Sequence, residues 1–106
     1  MARVVDMAPS VIKVAVTPEM AEAALESSKQ DNFREQKVQR YAGQMSMGRW
    51  KVNERFGTPV TFDRNRLRNG NHRMRAIVAT GLTIELYVRA EPELLDKWQR
   101  GESLEK

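Results

Sequence analysis

Residues 62–81 read Phe-Asp-Arg-Asn-Arg-Leu-Arg-Asn-Gly-Asn-His-Arg-Met-Arg-Ala-Ile-Val-Ala-Thr-Gly, and the candidate site is predicted from this stretch. Its apolar residues recur at the spacing of one buried helical face, which predicts a helix from about Asn71 to Thr80. The positions with this spacing are Met74, Ile77, Val78 and Gly81. Because Gly81 follows the last apolar position and glycine tolerates the left-handed conformation, we expect it to end the helix.

The start of this helix has the features of an anion-binding site. The N–H groups and the dipole at a helix start attract negative charge. Asn69 is predicted to cap the helix with its side chain, and Gly70 allows the backbone to approach another group closely. The residues predicted to bind phosphate or nucleic acid are Arg66, Arg68, Asn69, Gly70, Asn71, His72, Arg73 and Arg75. The alternative that stays open is a solvated face of arginines with an incidental surface histidine.

The length of 106 residues and the apolar share of 41% predict a single domain with a modest core. We expect a lead-in over 1–10, a core over 11–100 and a frayed tail over 101–106. The absence of cysteine excludes disulfides, thiolate metal sites and a thiol nucleophile. No apolar run is long enough to span a membrane and the N-terminus lacks a secretion signal, so we expect a cytoplasmic protein without membrane contact.

The positive charge is concentrated in one part of the chain. The formal net charge is +4, and the segment 64–75 contains five arginines and no acid, whereas both flanks mix the two signs. An uneven distribution of this kind indicates an anionic partner more strongly than the net charge does. Nucleic acid, a nucleotide and a phosphorylated metabolite are all consistent with it.

The remaining sequence predicts short strands and helices in alternation. Strands are expected over 11–16, 60–62 and 83–88, with a brief extended piece at Leu67. Helices are expected from the cap residue Thr17 to about Ser28, from about Arg34 to Gly48, and over 92–100. This order predicts an α/β fold (α+β mixed) in which one layer of short mixed sheet is covered by helices.

Two local features complete this interpretation. A turn is expected over 63–66, with Asn65 in the left-handed conformation. Trp50 follows the second helix and is expected to pack against the core. Stacking of a nucleic-acid base on Trp50 or Tyr41 is the functional alternative.

Three blocks of the sequence resemble a known family. They are Thr17-Pro18-Glu19-Met20-Ala21, then Tyr41-Ala42 with Gln44, Met45, Gly48 and Trp50, and finally Asn69-Gly70-Asn71-His72-Arg73-Met74-Arg75-Ala76. In this order they are similar to the stand-alone ParB N-terminal-like domains of phages and actinobacteria, within the ParB/sulfiredoxin superfamily. The likeness covers roughly residues 11–90.

The resemblance implies a ParB/sulfiredoxin fold in which the glycine-led helix start receives phosphates, often those of a nucleotide. Members of this superfamily hydrolyse CTP, act as nucleases or as a serine kinase, or are sulfiredoxins. Asn71 stands where partition proteins have a glutamate, and the absence of cysteine excludes sulfiredoxin chemistry. No helix-turn-helix domain follows and the second nucleotide motif lies beyond the end of the chain, so neither site-specific reading of DNA nor clamping around CTP is expected.

Three functions are consistent with these residues. The first is non-catalytic binding of nucleic acid, or of a nucleotide, at the basic helix start. The second is a ParB-like nuclease, or an enzyme that hydrolyses CTP or ATP with magnesium, for which His72, Asp63 and Glu19 are the candidate catalytic residues. No dedicated metal site is predicted.

The third function is a phage-type interaction module that docks on a host protein or on a second copy of itself. It would use the apolar side of the last helix, with Leu94, Leu95 and Trp98. In so small a domain the favoured interpretation is that these side chains simply cover the sheet. We expect the first function, with nucleic acid favoured over a free nucleotide because too few motifs remain to select a base.

Overall fold

The computed structural model describes residues 10–28, 33–48, 50 and 59–104 of the chain. Its strands are β1 (Ser10–Val16), β2 (Val60–Asp63), β3 (Arg66–Asn69) and β4 (Ile84–Ala90). Its helices are α1 (Pro18–Ser28), α2 (Glu35–Ser46), α3 (Asn71–Thr80) and α4 (Pro92–Gln99). The described residues therefore form an α/β fold with one mixed sheet and helices, as the sequence predicts.

The sheet has the strand order β1-β4-β2-β3. The long strands β1 and β4 pair antiparallel from Ser10↔Ala90 to Val16↔Ile84, whereas β4 and β2 pair in parallel and β2 and β3 form an antiparallel hairpin. Along β4, buried residues alternate with more exposed ones, which is the pattern of a sheet with one covered face. The parallel pairing of β2 with β4 requires a crossover, and β3 and α3 provide it.

The core lies between the covered face of the sheet and the helices. Its largest fully buried side chains include Trp98, Leu67, Met74 and Ile77, which come from α4, β3 and α3. The Trp98 indole N–H donates to the carbonyl oxygen of Met20 at 2.7 Å, and its ring meets Phe62 edge to face at 5.0 Å between centroids. These contacts tie α4 to α1 and to the sheet.

The alternative in which α4 serves as a docking face is wrong, and the expectation that its apolar side chains cover the sheet is confirmed. Leu94, Leu95 and Trp98 are 3%, 5% and 0% exposed, so all three side chains belong to the core. They are buried because α4 packs on the core, where Trp98 contacts Met20 and Phe62. None of the three is available to a host protein or to a second copy.

Several predicted local features are confirmed. The Thr17 hydroxyl accepts a hydrogen bond from the Met20 N–H at 3.1 Å and so caps α1. Gly81 has a φ of 71° and ends α3 by donating its N–H to the Ile77 carbonyl. Trp50 packs against the core and meets Tyr41 edge to face at 5.2 Å between ring centroids.

The β2–β3 hairpin is held to α1 through Ser27. The hydroxyl of this buried serine accepts a hydrogen bond from the Leu67 N–H at 3.2 Å and donates to the Ala24 carbonyl at 2.7 Å. An outward-facing amide of the edge strand is thus satisfied by a helix, which also protects that part of the edge. Because side chains alternate along a strand, Arg66 and Arg68 leave β3 on the face opposite to the buried Leu67.

Three boundary predictions differ from the structure. In the hairpin turn the residue with positive φ is Arg64, at 59°, and not Asn65. Ser10, assigned to the lead-in, already belongs to β1 because it pairs with Ala90. Leu104, assigned to a frayed tail, is 1% exposed, because the Glu102 N–H donates to the Lys97 carbonyl and turns the chain back onto the core.

Some predictions fall on residues that the structure does not describe. These are the rest of the lead-in, 1–9, and the last two residues of the tail, and residues 51–58 before the second strand are not described either. Across the described ranges, none of the helices has the length and apolar character needed to cross a membrane.

Candidate anion-binding site

The start of α3 is positioned by a close contact between Gly70 and β2. Gly70 is the N-cap residue, with a φ of 118°, and no side-chain hydrogen bond caps the helix. A Cβ at this position would lie 3.0 Å from Cγ2 of Val60, so any other residue would strain the backbone and require the Val60 side chain to shift by a few tenths of an ångström. The close approach expected of Gly70 therefore exists, and the group it approaches is Val60.

The prediction that Asn69 caps α3 is wrong. Asn69 is the last residue of β3 and pairs with Thr61, so its backbone belongs to the sheet. The chain then turns into the helix through the left-handed Gly70, one residue later than predicted. The left-handed geometry that the turn requires favours glycine over the asparagine at this position.

His72 joins the start of α3 to the start of α2. Its Nε2 accepts a hydrogen bond from the backbone N–H of Arg34 at 3.0 Å, across 38 residues of sequence. Arg34 is the N-cap residue of α2, and its side chain makes no capping hydrogen bond. An acceptor at Nε2 places the proton of the neutral imidazole on Nδ1. This hydrogen bond brings the N-terminal ends of α2 and α3 together, and each of these ends carries the positive pole of its helix dipole.

The electrostatic surroundings of His72 are cationic. Its pKa is lowered from 6.5, first by burial and then by the positive charges of Lys37, Arg34 and Arg75. We call Arg34, Lys37, His72 and Arg75 the basic cluster. Arg34 and Lys37 lie at the start of α2, and His72 and Arg75 lie in the first half of α3. Glu35 is the acid in the first turn of α2, and α3 has none in its first turn.

Arg75 is held in a fixed position at the edge of the basic cluster. Its Nε donates to Oδ1 of Asn71 at 3.0 Å, and Asn71 is itself buried. The guanidinium carbon lies 3.9 Å from the centroid of the Phe33 ring, which is a cation–π contact. The amide and the aromatic ring together restrict this side chain more than solvent alone would.

Arg73 lies on the flank of α3 that faces α2. Its side chain is half-buried, and burial lowers its pKa while the nearby Tyr41 acts in the opposite direction. An arginine remains protonated in proteins, so Arg73 keeps its positive charge, but it is not among the cations that lower the pKa of His72.

The two remaining predicted arginines belong to the hairpin instead. Arg66 and Arg68, which we call the hairpin arginines, are exposed on β3, and Nη1 of Arg68 contacts Oδ2 of Asp63 at 3.2 Å. Neither is among the cations that lower the pKa of His72. The structure therefore brings Asn71, His72 and Arg75 together, and it leaves the hairpin arginines on another surface.

Among the described residues, no hydrogen bond or ion pair joins the candidate catalytic residues His72, Asp63 and Glu19 to one another. Asp63 pairs with Arg68 on the hairpin, and Glu19 is exposed in the first turn of α1. Neither carboxylate is among the groups that shift the pKa of His72. Within the described ranges, no three side chains of histidine, cysteine, aspartate or glutamate are grouped in a way that could hold a metal ion.

Sequence reasoning missed Phe33, Arg34 and Lys37 as site residues. Arg34 and Lys37 are spaced i, i+3 at the start of α2, which places them on one side of the helix. The start of α2 also lacks the serine, threonine, aspartate or asparagine that usually caps a helix. Those signals mark a basic helix start, but only the packing of α2 on α3 brings it to His72.

Comparisons of the chain with protein-family models, with curated proteins and with solved structures found no match. The resemblance to the ParB/sulfiredoxin superfamily therefore rests on its three sequence blocks alone and stays a prediction.

Proposed function

We propose that this protein binds the phosphate groups of nucleic acid at the basic cluster, without catalysing a reaction. The observation that carries the proposal is the 3.0 Å hydrogen bond from the Arg34 N–H to His72 Nε2, which joins two helix starts and places His72 among the positive charges of Lys37, Arg34 and Arg75. Cations concentrated in this way repel one another and attract an anion. A phosphate bound among them would relieve that repulsion.

The backbone supports the same proposal. The hydrogen bond between Arg34 and His72 brings two helix N-termini together, and neither helix is capped by the side chain of its N-cap residue. Each N-terminus carries roughly half a positive charge, so their potentials add at the surface between them. Helix starts of this kind bind phosphate through the backbone and the dipole together.

The resemblance to the ParB/sulfiredoxin superfamily would put a phosphate at the same helix start. The proposal differs from that family's nucleotide site by adding Arg34 and Lys37, which come from the neighbouring helix. Contacts of this type fix the position of a nucleic acid without reading its sequence. We therefore expect binding that depends on charge and shows little base-sequence preference.

The test is a titration of a labelled oligonucleotide by fluorescence anisotropy at several salt concentrations. We expect the logarithm of the affinity to fall with the logarithm of salt with a slope of about −2 to −3, for about three phosphate contacts. Lys37→Gln should reduce the slope by about one and the affinity by about tenfold at low salt. No binding of any strand at low salt would refute the proposal.

The matched control is Arg68→Gln, which removes the same amount of charge from the hairpin. We expect it to change the affinity by less than about twofold, because that guanidinium is already paired with Asp63 and lies outside the basic cluster. Equal losses in the two variants would mean that net charge alone attracts the ligand. A free nucleotide that competes as strongly as the oligonucleotide would identify the ligand as the nucleotide.

A further inference from the structure

Phe33 is an exposed aromatic residue beside the basic cluster. Its side chain is 40% exposed, whereas the core aromatics Phe62 and Trp98 are 5% and 0% exposed. It directly precedes Arg34, whose backbone N–H is bonded to His72. Part of an aromatic residue is thus exposed next to the groups that would hold phosphate.

Arg75 stacks a planar cation on one face of the Phe33 ring. Its guanidinium carbon lies 3.9 Å from the centre of the Phe33 ring, and its Nε donates to the buried Asn71 at 3.0 Å. Asn71 is 8% exposed and lies in the first turn of α3, so the guanidinium is fixed to a helix and not to a loop. A surface fixed before binding loses little side-chain entropy when a ligand arrives.

We propose that Phe33 and Arg75 form a stacking platform for an unpaired base, so that the protein prefers single-stranded nucleic acid to a duplex. This inference rests on the function proposed above. Bases stack on aromatic rings and on arginine planes, and stacking tolerates any base because every base has a π-face. In a duplex those faces are already covered by neighbouring base pairs, whereas a single strand can splay a base out.

The geometry also gives each part of the ligand its own partner. The base would contact Phe33 and Arg75, while the adjacent phosphates would contact Arg34 and Lys37 on the first turn of α2. These groups occupy one continuous part of the surface because residues 33 and 34 are neighbours and Arg34 is bonded to His72. A strand of alternating base and phosphate fits this alternation of planar and charged groups.

The experiment compares three labelled probes of equal length: oligothymidylate, an abasic strand and a duplex. The abasic strand has the same phosphates but no bases, so it measures the phosphate contribution alone. We expect oligothymidylate to bind about tenfold more tightly than the abasic strand at the same salt concentration. The duplex should bind no better than the abasic strand.

Variants of Phe33 test whether the platform causes the difference in affinity between oligothymidylate and the abasic strand. Phe33→Ala should lower the affinity for oligothymidylate by about tenfold and leave the affinity for the abasic strand within about twofold. Phe33→Trp should retain the preference, because it keeps an aromatic face. The matched control is Leu82→Ala, which removes a side chain of similar exposure (39%) after the opposite end of α3 and should change neither affinity.

The outcomes separate this inference from the proposed function. Equal affinities for oligothymidylate and the abasic strand would overturn the platform and leave phosphate binding intact. A duplex that binds as tightly as oligothymidylate would overturn the preference for single strands. Failure of all three probes to bind at low salt would refute the proposed function together with this inference.

Discussion

The basic cluster and the hairpin both contain arginines, but the surroundings of these arginines differ. In the cluster, His72 accepts the Arg34 N–H, and Arg75 is held by Asn71 and Phe33. On the hairpin, Arg68 is held by the carboxylate of Asp63, and both partners are more than half exposed. In one region several cations lie around an imidazole, whereas in the other an arginine lies against a carboxylate.

Closeness in sequence therefore does not decide which cations act together. Arg66 and Arg68 are near His72 along the chain, yet the alternation of β3 turns them to the face opposite Leu67. Arg34 and Lys37 are more than thirty residues away from His72, and the packing of two helices brings them to it.

The largest effect is expected at Gly70, the residue that joins the hairpin to α3. Gly70→Ala should lower the free energy of unfolding by about 2–4 kcal/mol, because it adds strain at a φ of 118° to a 3.0 Å contact with Val60. Urea denaturation would measure the loss.

The control for Gly70 is Gly81→Ala at the other end of α3. Gly81 also has positive φ, at 71°, but a Cβ there would meet nothing within 4 Å. We expect a loss of about 1 kcal/mol from backbone strain alone. Similar losses at the two glycines would show that the approach to Val60 contributes nothing.

A smaller effect should distinguish how the two regions hold their arginines. A double-mutant cycle on Phe33 and Arg75, with Phe33→Leu and Arg75→Gln, should give a coupling energy of about 0.5–1 kcal/mol. The corresponding cycle with Asp63→Asn and Arg68→Gln should give less than about 0.5 kcal/mol, because both groups are solvated.

Added salt should increase the difference between the two coupling energies. Denaturation at high ionic strength should remove the coupling on the hairpin and retain most of the coupling between Phe33 and Arg75, which is not an interaction between two ions. A larger coupling energy for Asp63 and Arg68 than for Phe33 and Arg75 would contradict the expectation that Arg75 is held more firmly than Arg68.

The smallest effect concerns pH. His72 has a lower pKa in the folded state than its ordinary 6.5, so the unfolded chain binds more protons between the two values. The contribution of His72 to the free energy of unfolding is therefore fully present above pH 6.5, and it is lost as the pH decreases through the folded-state pKa. Chemical denaturation between about pH 7.5 and about pH 5 would measure the slope.

His72→Gln supplies the control for the pH effect. The chain contains one histidine, so this variant removes the only imidazole and should flatten the dependence over that interval. An unchanged slope in the variant would assign the effect to carboxylates instead of to His72.

Much of the fold is predictable because short-range patterns fix it. The apolar spacing in α3 gives its bounds, and Thr17 and Gly81 mark helix ends through their own backbone and side-chain chemistry. The misplaced features are those where neighbouring elements compete for a residue. Asn69 has a good cap side chain, but pairing with Thr61 keeps it in the sheet.

The candidate site is less predictable than the fold. The sequence indicates Asn71, His72 and Arg75, because they follow the glycine at the start of a helix. It gives no indication that Phe33 lies against Arg75 or that Arg34 bonds to His72, since both contacts join segments that are distant in sequence. Burial of Leu104 has the same origin, because a single apolar residue in a polar tail has no periodicity to reveal it.

The elements, their order, the concentration of arginines and the glycine at the start of α3 can all be inferred from the sequence. These features follow from local propensities and from the spacing of apolar residues, which act over a few residues at a time. Which cations share a surface depends instead on the packing of the folded chain. That choice depends on the alternation of side chains along β3 and on the packing of α2 against α3, and both involve groups that the order of residues does not bring together.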